Sequence, residues 1–453
     1  MGKSKGRKLL SIVLMSLIAF VLVACGTNGD TTDDASNGGT DEGTTSGEKT
    51  ELEFWSFWGG GSRRETIESI IEDFNDSQDE IEVTHVYQPW GDIWTKALAA
   101  VASGNDIPDI IVQDINTVRQ RADANQATNL QEYLDQEDEN LEGLFYPQLW
   151  DTVVHEDEAY GLPFNTDTHV LFYNKDLFEE AGLDPDTPPK TWDELEEMAR
   201  QLDVQEGDSF EQFGFYPLWN LGLDVWTINA DEGTSWFDDN GDVKINTPEK
   251  VSALEWVLDW QDYYGQDTIN SYEAEFDSGL ADPFISGLIA MRGQNINYYT
   301  DLRENAPEDF NFGVAPLPEY EEGSGPWTWG GGFALEIPYG AENPDASYEF
   351  MKYLVSTEVQ TTFGLNSFDI MANQEANEAL EDHPDLDENG HMIYKLAHQN
   401  LDYTVITPVP LTAPDYLQLV NGQLDEALLG NKTPQEALDA AQESVENLVE
   451  QNE

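Results

Sequence analysis

Residues 51–61 read ELEFWSFWGGG, residues 81–87 read IEVTHVY, and residues 108–112 read PDIIV. The first stretch alternates like a β-strand and ends in a glycine run; the second is rich in β-branched residues; the third is a short strand of the buried type. Between the first two, Ile67, Ile70, Ile71 and Phe74 recur at i, i+3, i+4 and i+7, which is one face of a helix. Between the second and third, Ile93, Ala97, Leu98 and Val101 mark another helix, stopped by Gly104. Strand–helix–strand–helix–strand implies parallel pairing and an α/β sheet. Ligands of such sheets bind outside the carboxyl ends of the strands. That singles out Trp55 to Gly61 and the pair Gln113-Asp114.

A second α/β pattern starts near residue 166. Val170 to Tyr173 is a strand, and Lys175 to Ala181 a short helix ended by Gly182. Thr191 and Glu194 form a capping box in which each side chain is expected to bind the other residue's amide. Thr247-Pro248 caps a further helix, and Thr433-Pro434-Gln435-Glu436 repeats the box near the C-terminus. The simplest architecture is two α/β lobes.

The chain has 453 residues, with 90 Asp+Glu against 20 Lys+Arg and a formal net charge of −70. Nucleic-acid binding requires a basic footprint that this chain lacks. Adhesion to anionic lipid through basic residues is excluded on the same ground. Disorder is excluded by 13 Trp, 18 Tyr and 20 Phe, too many rings for a chain with no core. The length suits two to three domain-sized units with a large interior. The acids are spread along the whole chain, which reads as adaptation to a saline or alkaline medium; a functional acidic face for a cationic ligand is the competing reading.

Residues 1–24 read as a processing signal. Lys3, Lys5, Arg7 and Lys8 precede an apolar run from Leu9 to Val23, too short and too early for a retained membrane span. Leu22-Val23-Ala24-Cys25 matches a bacterial lipobox, in which Cys25 receives lipid and becomes the new N-terminus. Cys25 is the only cysteine, so no intramolecular disulfide forms. Residues 25–50 continue as a Gly/Ser/Thr/Asp tether with no large apolar side chain. Lipid, tether and body together place the protein on the outer face of a cytoplasmic membrane.

The body resembles the extracellular solute-binding proteins of carbohydrate-uptake ABC transporters, the family that includes maltose-binding protein. The stretches that carry the resemblance are Phe54 to Trp58, Gly104-x-x-x-Pro108-Asp109-Ile110, Tyr160-Gly-Leu-Pro163, Phe172-Tyr-Asn-Lys-Asp-Leu-Phe178 and Pro189-x-Thr191-Trp-Asp-Glu-Leu195. Later come Phe284-x-x-Gly287-x-x-Ala290-Met291, Ala315-Pro-Leu-Pro318, Gly330-Gly-Gly332 and residues 430–438. The resemblance implies a two-lobed periplasmic-binding-protein-like fold (type II), each lobe an α/β sheet sandwich, with a hinge between them. Matching segments puts residues 51–164 plus 289–331 in the first lobe and 165–288 plus 332–453 in the second. Crossings are then expected near Pro163-Phe164, near Gly287–Met291 and at Gly331-Gly332. The implied function is capture of a sugar by hinge closure and delivery to permease subunits, by a monomer that has no cofactor and does no chemistry.

Sugars present CH faces that stack on aromatic rings, and hydroxyls that need planar donors and acceptors. Loop position and the resemblance nominate Trp58, Asp114, Trp219, Trp226, Asn295, Trp327, Trp329 and Tyr416 as ligand contacts. For each Trp the competing reading is a core aromatic, and for Asp114 a strand-end turn. Trp192 and Trp256 read as packing. The family's Trp shortly after Ala-Met is replaced here by residues 292–299, RGQNINYY, and the familiar Pro and Arg near 364–373 are missing, so the sugar's identity stays open. Asp385-x-Asp387-x-Asn389-Gly390 begins like a calcium loop but has Leu396 where a bidentate Glu belongs, so a polar turn is the better reading. Tyr298-Tyr299 resembles the adjacent phenolates of ferric-binding receptors. The remaining alternatives are a peptide receptor and a secreted glycoside hydrolase, for which two carboxylates flanking a sugar would be needed.

Overall fold

The structure is a computed structural model that describes residues 49–207, 209–238, 240–276 and 282–452. The expected signal segment, Cys25 and the tether lie outside those residues, apart from the last two tether positions. Among the described residues no helix is long and apolar enough to cross a membrane.

The alternation of residues 51–57 becomes strand β1 (Thr50–Ser56), which buries Leu52 and Phe54. It pairs in parallel with β2 (Ile81–Tyr87) on one side and β3 (Ile110–Asp114) on the other. The crossover helices are Gly61–Ser77, which buries Ile67, Ile70, Ile71 and Phe74, and Asp92–Ser103, which buries Ile93 and Ala97. Leu98, expected on the buried face of the second helix, is exposed.

Strand β4 (Leu162–Thr166) returns to this sheet, and two residues later β5 (His169–Asn174) starts another. Both flanks of β5 are taken antiparallel by β6 (Met291–Asn295) and β7 (Phe312–Pro316). Next come β8 (Thr328–Gly330) and, after one residue, β9 (Gly332–Glu336). β9 enters the first sheet antiparallel, between β3 and β4. β10 (Ile370–Met371) closes the far edge beside β4, and β11 (Thr404–Ile406) pairs in parallel with β8. Among the described residues the first sheet therefore has six strands and the second three. One core gathers Phe54, Trp58, Phe164, Ala334, Phe350 and Phe363 around the first sheet. Another gathers Trp192, Phe213, Trp226 and Trp260 around the second, extended by a helical cluster around Leu254, Val420 and Leu438. This is a mixed α/β fold of two lobes.

The pairing corrects the expected lobe boundaries, 51–164 plus 289–331 and 165–288 plus 332–453. Residues 291–295 belong to the second sheet, because the Ala290 amide donates to the Phe213 carbonyl and the Phe213 amide to the Leu288 carbonyl, which leads the chain straight alongside β5. Residues 332–336 belong to the first sheet. Glu336 there is buried and takes the Arg121 guanidinium at 2.7 Å; elsewhere its charge would be stranded. The chain thus passes between sheets at Asp167-Thr168 and at Gly331, not near Pro163-Phe164 or Gly287–Met291.

These crossings are laced together. The Gly331 amide donates to Asp167 Oδ1 at 2.6 Å, and Thr166 Oγ1 donates to the Gly331 carbonyl at 2.8 Å. The Thr168 and Thr404 hydroxyls lie 2.6 Å apart, and Asn400 Nδ2 donates to Thr168 Oγ1 at 2.7 Å. Gly332 has φ +144°, and a Cβ there would stand 2.3 Å from the Asn165 carbonyl oxygen. Only glycine fits that turn.

Candidate functional site

The carboxyl ends of β1 and β2 carry a row of rings. Phe57 packs 4.7 Å from Phe333 and 4.8 Å from Trp90, measured between ring centroids. Trp90 in turn lies 4.9 Å from Trp94. Trp90 is 61% exposed and Tyr87 is 48% exposed. The Tyr87 ring covers Gly59, where a Cβ would come within 2.2 Å of it, so the glycine run leaves room for this wall. An open cluster of large rings marks a contact surface.

Phe333 stands opposite Asp114 in the β9–β3 ladder, and directly opposed residues share a face. A carboxylate therefore borders the aromatic row. Asp114 accepts from the Asn116 amide at 2.9 Å, holding a short 3-10 turn. Burial raises its pKa, and the nearby Asp167 carboxylate adds like-charge repulsion. Gln113 Oε1 and Asn116 Oδ1, at the same strand end, are buried acceptors with no hydrogen-bond partner among the described residues.

The second lobe faces this edge with Trp329. Its ring stacks on His169 at 5.9 Å, its Nε1 donates to Thr407 Oγ1 at 3.1 Å, and its carbonyl accepts from His169 Nδ1 at 2.7 Å. Asp224 lies in the first turn of the helix Leu223–Ala230, and burial raises its pKa. It lies close enough to Tyr416 to help burial raise the phenol's pKa. Between the lobes opens a cleft of about 1100 Å³. Arg119, Asp151 and Glu156 line one side, Glu232, Trp327 and Tyr416 the other, with Thr407 and Val409 between. Val409 donates its amide to the Asn116 carbonyl at 2.9 Å, which ties this wall to the Asp114 end of β3.

Of the residues singled out from sequence, Trp327 and Tyr416 line the cleft; Asp114 and Trp329 lie outside its lining and adjoin it through Asn116–Val409 and Thr407. Asn295 ends β6 beside His169 and is half-buried. Trp58, Trp219 and Trp226 are corrected to core residues. Successive residues after β1 point to opposite sides: Phe57 joins the row, while Trp58 turns inward between Phe164 and Phe363, at 5.2 and 4.9 Å. Trp219 is buried against Phe213 and Tyr216. Trp226 is fully buried with its Nε1 donating to the Pro217 carbonyl. Sequence reasoning missed Trp90, Phe333, Asp167, His169 and Asp224. Trp90 had a signal, since it follows a parallel strand just as the chosen residues did.

The calcium-like loop is a helix cap: Asp387 accepts from the Gly390 amide at 2.7 Å and starts the helix Glu388–Asn400. The adjacent phenols diverge, Tyr298 donating to Asp282 and Tyr299 to Asp387. Among the described residues no group of three His, Cys, Asp or Glu is placed to hold a metal.

Two α/β sheets, a laced hinge and an aromatic cleft define a two-lobed binding protein. The chain belongs to the bacterial extracellular solute-binding protein family, whose pattern matches residues 60–361. It is 25% identical over 418 residues to the sn-glycerol-3-phosphate-binding periplasmic protein UgpB of Pectobacterium atrosepticum, covering 87% of this chain and 90% of that one. Among solved structures it resembles CpMnBP1 with mannotriose bound, at 27% identity and a TM-score of 0.74, covering 88% of this chain and all of that one. It also shares the fold of maltose-bound MalE3 of T. maritima, at 22% identity and a TM-score of 0.73 over 88% of this chain and 100% of that one.

Proposed function

We propose that this protein is the sugar receptor of an ABC transporter. It captures a glycan between its lobes and hands it to permease subunits, without turnover. The observation that carries the reading is the open ring row of Phe57, Trp90 and Phe333 beside the Asp114 carboxylate. Rings take the CH faces of a pyranose, and carboxylates take its hydroxyls. The binding partners named for CpMnBP1 and MalE3 support the same class.

The glycerol phosphate of UgpB fits less well. The cleft's lining holds Asp151, Glu156, Asp157, Glu232 and Asp238 against a single guanidinium, Arg119. Arg119 itself is tied to the carbonyls of Asp151 and Val154. The cations beside the strand ends are already engaged: Arg63 is paired with Asp369, Arg64 with Glu68, and Lys96 with Gln88 and Asp92. A dianion placed here meets like charge.

The protein is held as a monomer on the outer face of the cytoplasmic membrane by lipid on Cys25, and its acidity suits a saline medium. A thermal-shift panel of manno-, malto-, xylo-, cello- and galacto-oligosaccharides, sn-glycerol 3-phosphate, peptides and Fe³⁺ tests the sugar reading. A ligand at 100 times its Kd adds about 2.7 kcal/mol of stability. One neutral glycan series is expected to raise the melting temperature. A shift from glycerol phosphate, peptide or iron with silence from every glycan refutes it.

A further inference from the structure

Beside the end of β3, sharing Leu411 with the 1100 Å³ cleft, a groove of about 490 Å³ runs along the helix Asp92–Ser103. Trp94, Leu98, Gln113, Gln120 and Gln126 line it, with Leu411 at the far rim. Its charged lining is one acid, Asp123, and Arg121, which is paired with Glu336. In a chain with 90 acidic residues, its polar lining includes three glutamines. An amide both donates and accepts, which suits the paired donor and acceptor of a sugar hydroxyl. Gln113 is 2% exposed and gives its Nε2 to Thr117, yet its Oε1 is buried with no protein donor among the described residues. A buried acceptor left without a donor is costly unless something fills it.

The groove is continuous with the proposed sugar site at both ends. Trp94 lines it and also packs on Trp90 at 4.9 Å, so the aromatic row turns the corner into it. Trp94 is fixed by its Nε1 donating to the Val112 carbonyl at 3.1 Å. Leu411 lines both this groove and the main cleft. Leu98 and Leu411 are 42% and 40% exposed, giving two apolar surfaces for CH groups on either side of the amides.

We propose that this groove is a further sugar subsite, which receives the outer ring or rings of an oligosaccharide whose first rings sit on the Trp90 row. The inference rests on the sugar reading above. Gln113 Oε1 accepts from a glycan hydroxyl, Gln120 supplies a second hydrogen bond, and Trp94 and Leu98 take the ring's apolar face. The solute is then longer than a disaccharide.

Calorimetric titration of the full chain with manno-, malto-, xylo-, cello- and galacto-oligosaccharides of one to six units tests this. In the wild type the affinity of the series that binds is expected to climb by tenfold or more between the disaccharide and the tetrasaccharide. Gln120→Ala and Leu98→Ala lie near the surface and leave the fold intact, which a melting curve checks. Each is expected to weaken the tetrasaccharide by roughly three- to tenfold while leaving the disaccharide within twofold. Equal weakening of both lengths, or of neither, overturns the subsite. A wild-type affinity flat beyond two units overturns it too. If no series binds, the sugar reading fails and takes the subsite with it; if a disaccharide binds and the length dependence is absent, only the subsite fails.

Discussion

Two regions of this molecule are rich in tryptophan, and they do opposite work. In the second lobe Trp192 stacks on Trp256 at 4.1 Å and meets Trp226 at 5.6 Å, with Trp192 and Trp226 buried. At the edge of the first sheet Trp90 and Trp94 are the same distance class apart, yet Trp90 stays open to solvent. Ring-to-ring geometry does not separate a core from a binding wall. What separates them is what lies over them: the second-lobe rings are covered by the helix Pro248–Tyr264, while Trp90 follows a strand end, packs on Phe57, Trp94 and Phe333, and keeps 61% of its surface open.

The comparison breaks most easily at Trp226. Trp226→Ala removes a fully buried ring and its hydrogen bond to Pro217, and is expected to cost about 3–5 kcal/mol in chemical denaturation. A loss below about 1 kcal/mol would mean the second-lobe rings are not a core. Gly332→Ala comes next. It forces a side chain into a positive-φ turn against the Asn165 carbonyl, and is expected to cost about 1–3 kcal/mol. An unchanged melting temperature would place the turn elsewhere.

A pH titration sharpens the role of the carboxylates. Burial raises the pKa of Asp114 and of Asp224. For a raised carboxyl the protonated form is favoured by folding, so each adds stability below the ordinary value of about 3.9 and loses it as pH rises through the folded value. Sugar binding uses the ionised acceptor, so affinity is expected to fall on acidification before ordinary aspartates protonate, without loss of fold from these two groups. Affinity that stays constant until the protein unfolds contradicts their role. The smallest expected effect is on the whole chain. Raising salt from about 0.1 M to about 1 M shortens the screening length from about 10 Å to about 3 Å. With a net charge of −70 the melting temperature is expected to rise; a fall would argue against self-repulsion.

Local patterns in the sequence reported local structure well. The helices and strands from 51 to 112 fall where periodicity places them, and the Thr433 box forms in both directions, with Glu436 accepting from the Thr433 amide at 3.0 Å. The Thr191 box forms only halfway: Thr191 accepts from the Glu194 amide, but Glu194 reaches one residue further back, to the Lys190 amide. Sheet membership was not legible. A second α/β pattern starts near residue 166, within two positions of the crossing, yet nothing local separates Asp167-Thr168 from Pro163-Phe164 as the point where the chain changes sheet. GFALE at 332–336 forms a strand whose place between β3 and β4 is set by long-range partners such as Arg121. The site was half legible for the same reason. A Trp in sequence shows its type, while burial, which demoted Trp58 and promoted Trp90, depends on residues more than 70 positions away, such as Phe164, Phe333 and Phe363.

The most direct test of the account is Trp90→Ala, read twice. Melting should change little, since the ring is 61% exposed and a surface substitution costs within about 0.5 kcal/mol. Affinity for the glycan that stabilises the wild type should fall about tenfold or more, the loss of a central stacking contact. An unchanged Kd with an unchanged melting temperature would contradict the account, because the open ring row would then have no part in holding the solute.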